Sequence, residues 1–204
     1  MQTLDLSGTG PRSENRLKNL FWPTVKTADD VDYIGVQGYW VCAIVAGLAL
    51  AVSLLTGQWF SGILAVLIYY VGGVGVRQHS LFAAAMVFVF FLLNLVGSAA
   101  NGLGGFMMYS VRILLCAILL SNLRATLIAS FWEKGSAEAE MPARFGETWG
   151  DKFVDKFPAW FWPKIRIVYY IYSILFLLLA TLGLISFYIA RHDPELLRRI
   201  TVRG

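Results

Sequence analysis

The chain has 204 residues, of which 57% are hydrophobic and only 15% charged, with a formal net charge of +4 and a mean hydropathy of +0.62. A soluble domain carries about 25% charged residues. Here the apolar excess is gathered into helix-length runs, which is the signature of a chain that crosses a bilayer several times. The basic residues are scattered and no nucleic-acid module is present, so nucleic acid is excluded as a partner.

Residues 1–33 form a polar N-terminal segment. Within it Ser13 is placed to cap a short helix, SENRLKNLFW, that stops at Pro23. Leu17, Leu20 and Phe21 share one face of that helix, as suits a segment lying in the membrane interface. No cleavable signal is visible, so the first span is expected to act as its own insertion signal. Ala28-Asp29-Asp30-Val31-Asp32 follows. Mg²⁺ sites pair carboxylates with substrate phosphates, and no companion motif is in view. The run reads as solvated juxtamembrane acid, its first member capping the next helix.

Residues 34–132 form a four-span membrane block. From Tyr33 to Trp132 there is no Asp or Glu, and Arg77, Arg112 and Arg124 are the only formal charges. The first span is about 35–56. Ala43, Gly47 and Ala51 recur every four residues on it and make one face small enough for close helix packing. Gly57-Gln58-Trp59 turns the chain into a second span at about 60–76, at the lower limit for crossing roughly 30 Å of hydrocarbon. Arg77-Gln78-His79-Ser80 breaks the run. A third span covers about 81–100, with Asn94 inside it. Asn101 to Gly105 turns the chain into a fourth span, about 106–130, which carries Arg112 and Arg124.

Residues 133–164 form an interfacial loop. In ETWGDKFVDKFPAWFWP, Phe153, Phe157, Trp160 and Phe161 fall on one helical face, and Trp149 and Trp162 flank them. The pattern is that of an amphipathic helix in the aromatic belt, bent or ended by Pro158. A fifth span occupies about 165–190, and 191–204 is a polar tail. The fold class is therefore all-α: a polytopic integral membrane protein of about five transmembrane helices with short amphipathic interfacial helices.

Orientation follows from the basic residues. With five crossings, twelve Lys and Arg lie on the side of the N-terminus and of the 133–164 loop, and four lie on the other. Were 60–76 only re-entrant, the division would be eight and eight. The positive-inside rule favours five crossings with a cytoplasmic N-terminus. That orientation assumes a bacterial-type plasma (inner) membrane.

Chemistry has few places to reside. Cys42 and Cys116 sit in apolar runs and read as packing residues. No disulfide framework or metal spacing is present. His79 and His192 fall at span ends, so no haem site is expected. HExxH, GxSxG and P-loop motifs are absent, and no carboxylate pair lies within a span. No catalytic residue, cofactor or metal is assigned. The conspicuous residues are Arg112 and Arg124, about 18 Å apart along one helix. Each can send its head toward the nearer interface. Together with Asn94 they are the candidate contacts for an anion or a lipid headgroup.

The expected role is a non-enzymatic accessory or scaffolding subunit that packs in the bilayer with membrane lipids and with a partner protein or further copies of itself. A small-solute or lipid-binding transporter or channel is the alternative, and a polar stripe joining Asn94 to Arg112 would favour it. A lipid-modifying enzyme is a further one, favoured if Glu147, Asp151 and Asp155 gather around a pocket. The absence of an acid within the spans argues against cation-coupled transport.

Overall fold

The computed structural model describes residues 23–25, 28–100, 102, 105–135 and 152–192. The expected interfacial helix at 13–22, residues 136–151 of the 133–164 loop and the tail after 192 lie outside the described residues. The described residues are almost entirely helical and contain no strand: α1 (Ala28–Leu55), α2 (Trp59–Arg77), α3 (Leu81–Ala100), α4 (Phe106–Gly135) and α5 (Phe157–His192). Each is long and apolar enough to cross a membrane. The protein is an all-α, multi-pass membrane protein. Helices suit this setting because they satisfy their own backbone groups without water.

Turn chemistry joins the helices. Gly57 and Gly102 take the left-handed φ values of 71° and 65°, which glycine adopts without penalty. They mark one end of the bundle, hereafter the turn end. At the opposite end α2 reaches Arg77 beside Asp32 of α1. The second apolar run therefore traverses the full bundle, returning the chain from the Leu55 end of α1 to its Asp32 end.

The last seven residues of α2, Val71–Arg77, are all buried, and they form the centre of the packing. A Cβ on Gly73 would lie 2.6 Å from Cys42 Cβ of α1. One on Gly72 would lie 2.4 Å from Val87 of α3 and 2.5 Å from the Tyr169 hydroxyl of α5, and one on Gly75 would lie 2.5 Å from Ala83 of α3 and 2.4 Å from the Trp162 ring of α5. Removing the side chains lets three helices close on α2 from different sides. α4 then packs outside, against α1 and α3. Within α2, Val66–Tyr70 forms a widened π turn, and the Tyr169 hydroxyl donates to the Ile68 carbonyl at 3.4 Å.

Several boundaries differ from the sequence reading. α1 begins at Ala28, so the acidic run is its first turn rather than a flanking strip. α4 continues to Gly135. The aromatic stretch is not a separate interfacial helix. It is a π turn, Lys152–Lys156, running directly into α5. Pro158 does not end the helix; it falls directly after the widened π turn and is buried. Pro163 also lies inside α5. Phe153, Phe157 and Phe161 do share one face, stacked in sequence with centroids 6.2 and 5.1 Å apart. Trp160 remains 60% exposed, as a belt residue would. Trp162 is only 7% exposed and belongs to the core, since Gly75 leaves the space its ring enters.

Gly75→Ala is expected to lower stability by about 1–3 kcal/mol, the usual effect of overpacking a filled site. Gly47→Ala, where nothing lies within 4 Å of the added carbon, should be neutral or slightly stabilising. Thermal unfolding of both variants in detergent checks the contrast.

Candidate functional site: a buried arginine cluster and a membrane groove

Arg77 ends α2 at 1% exposure. A buried guanidinium is tolerated only when its donors are met and its charge is paired. Both conditions hold. Nη1 donates to Asp32 Oδ1 at 2.7 Å and to the Asp32 carbonyl at 3.4 Å. Nη2 donates to Asp32 Oδ2 at 3.3 Å and to Asp155 Oδ1. Nε donates to Asp155 Oδ1 at 3.1 Å. All five N–H groups that a guanidinium offers are thus directed at α1 or at the turn preceding α5. His79 adjoins the cluster, its Nε2 3.8 Å from Asp32 Oδ1. His79 holds φ at 54°, the one non-glycine residue with positive φ among those described.

This arrangement corrects the reading of Asp32 as a solvated juxtamembrane acid, and it engages Asp155 as well. Each side chain is about one-fifth exposed and paired with Arg77. Composition could not reveal the pairing because the partners are 45 and 78 residues distant from Arg77. Arg77 and Arg124 both lie toward the end of the bundle that holds the acidic stretches, so position along the chain did not single out Arg77 as their partner.

The candidate residues Arg112, Arg124 and Asn94 are not brought together. Arg124 Nη1 donates to the Pro23 carbonyl at 3.2 Å and ties the chain before α1 to α4. Two residues earlier, buried Asn122 donates from Nδ2 to the Ile34 carbonyl at 2.9 Å. Arg112 is half-buried, and its Nη1 is enclosed with no hydrogen-bond partner among the described residues. Asn94 lines a groove of about 450 Å³ between α2, α3 and α5, and Arg112 is not among the lining residues. The polar stripe that would join Asn94 to Arg112 in one cavity is not formed. Glu147 and Asp151, expected to accompany Asp155 in an enzyme, lie outside the described residues.

Chemically the arginine cluster is a clamp. Its carboxylates are committed to a guanidinium rather than poised as acid or base. Among the described residues no three His, Cys, Asp or Glu are grouped to hold a metal ion. Cys42 is buried, Cys116 is half-buried, and both are free thiols. No family model, curated protein or solved structure matches the chain.

Breaking a buried ion pair from one side strands the partner charge and costs about 3–5 kcal/mol. Arg77→Met is therefore expected to destabilise by that amount in detergent melts. Arg77→Lys, which keeps the charge but loses the planar fork, should recover only part of it. A melting temperature for Arg77→Met equal to wild type would mean that the pairs contribute nothing net.

Proposed function

We propose that the chain is a non-enzymatic accessory or scaffolding subunit of a cell membrane, one that packs against partner helices or further copies of itself in the bilayer. The observation that carries this reading is the small-residue ridge of α1. Ala43, Gly47 and Ala51 were expected to seat a neighbouring helix. Within the chain α1 meets α2 along the adjacent face instead, through Gly38, Tyr39, Cys42 and Ala46, all buried. Gly47 and Ala51 remain exposed, and no atom lies within 4 Å of a Cβ built on Gly47. Beside the ridge runs a groove of about 360 Å³ bounded by Trp40, Ile44, Val66 and Phe153. Small-xxx-small faces of this kind drive helix association in membranes because backbones can approach closely.

Two further features support a structural role over the alternatives. The spans hold no acidic residue between Asp32 and Glu133, which disfavours cation-coupled transport. Asp155, one of the acids an interfacial enzyme would draw on, is engaged by Arg77. For orientation, the basic residues favour a cytoplasmic N-terminus in a bacterial-type inner membrane.

Gly47→Leu tests the ridge. It should leave the stability of the isolated chain within about 0.5 kcal/mol of wild type while abolishing co-purification of the partner or shifting the oligomer to monomer in native mass spectrometry. A wild-type chain that is monomeric and partner-free in its native membrane extract would sink the proposal. Orientation is checked separately: a C-terminal alkaline phosphatase fusion should be active and a C-terminal green fluorescent protein fusion dark.

A further inference from the structure

The turn end of the bundle contains a polar group with no function in the packing. α3 spans Leu81–Ala100, and Asn94 lies six residues from its end, about 9 Å along the axis. That depth is inside the hydrocarbon of a roughly 30 Å layer. Asn94 is exposed on the bundle surface, and among the described residues its carboxamide has no hydrogen-bond partner. A carboxamide left unpaired in hydrocarbon is costly. An ordinary lipid-facing position carries an apolar residue, as the exposed neighbours Leu92 and Val96 do. Asn94 instead faces the groove between α2, α3 and α5.

We propose that this groove binds a membrane amphiphile. The apolar chain lies against Leu64, Phe176 and Gly183, and an uncharged head bearing a carbonyl or hydroxyl hydrogen-bonds the Asn94 carboxamide. Size and shape fit such a ligand. The volume of about 450 Å³ lies within the range of roughly 300–1,000 Å³ typical of small-molecule sites, and the lining is apolar with few polar groups, as such sites usually are. From Ser61 at the mouth to Tyr69 the α2 wall runs eight residues, about 12 Å, which is only two helical turns. Three helices bound the groove, so it suits a chain or ring better than the length of a partner helix. The depth disfavours a charged head. Phe90 and Phe176, with ring centroids 5.5 Å apart, offer an aromatic wall to a planar head. Two sources carry this chemistry: the ester carbonyl of an ordinary phospholipid and an isoprenoid quinone.

Two variants isolate the site without touching the bundle core. Asn94→Leu removes the polar group. Gly183→Leu fills the groove, and no atom lies within 4 Å of the new Cβ. The wild-type chain and both variants are purified from native membrane in mild detergent, matched for melting temperature, and their bound lipids are extracted and quantified by mass spectrometry. The wild type should retain one amphiphile far above its bulk proportion. Each variant should retain about tenfold less, the equivalent of the 1.4 kcal/mol that one good hydrogen bond contributes. A photoreactive diazirine residue in place of Leu64 then separates the sources. In vesicles of phosphatidylcholine with added ubiquinone, capture of the quinone assigns an isoprenoid ligand. Capture of phospholipid both there and in vesicles of phosphatidylcholine alone assigns the ester carbonyl. Equal retention in wild type and variants, no enrichment over the bulk lipid, or capture of a protein chain from position 64 would overturn the proposal.

Discussion

The five-helix arrangement depends on the near absence of side-chain volume along the last turns of α2. Gly72, Gly73 and Gly75 face three different neighbours, so a methyl group at any of them would collide with α1, α3 or α5. In a bilayer there is little hydrophobic gain in moving an apolar side chain from lipid to protein, and association depends on close contact instead. A helix end stripped to its backbone maximises that contact. It also explains why Trp162 and Tyr169 point inward. Their rings fill the space that α2 leaves, and the Tyr169 hydroxyl finds the Ile68 carbonyl at the widened turn.

The arginine cluster lies directly beyond this close-packed segment and uses the same geometry. Once α2 is buried among its neighbours, its terminal Arg77 is buried with it, and a guanidinium in that position must be met on every side. Asp32 and Asp155 meet it from the start of α1 and the approach to α5. The cluster therefore locks the two chain segments that flank the four-helix block to the end of α2. Arg124 and Asn122 add hydrogen-bonded ties at the same end, through the Pro23 and Ile34 carbonyls.

The two ends of the bundle differ accordingly. The charged end is held by glycine contacts, an aromatic stack and ion pairs. At the turn end the upper part of α5 presents Leu178, Leu179, Leu182 and Ile185 outward, and a groove separates it from α2 and α3. Regions with few buried contacts are where proteins place binding and motion. An unpaired carboxamide in that region is therefore more informative than the ion pairs, whose partners are already present.

The number of spans, their approximate limits and the turns between them were legible in the sequence. Apolar run length, glycine turns and the scarcity of charge are local properties, and a bilayer converts them directly into helices. The α3 limits coincide with those read from the run itself. The pairing of Asp32 and Asp155 with Arg77, the burial of Trp162, the fusion of the aromatic stretch with α5 and the separation of Asn94 from Arg112 were decided only by the tertiary structure. Each depends on which faces of distant helices meet. That is set by the volume missing at Gly72–Gly75, and no periodicity within a single helix encodes which neighbour will fill it.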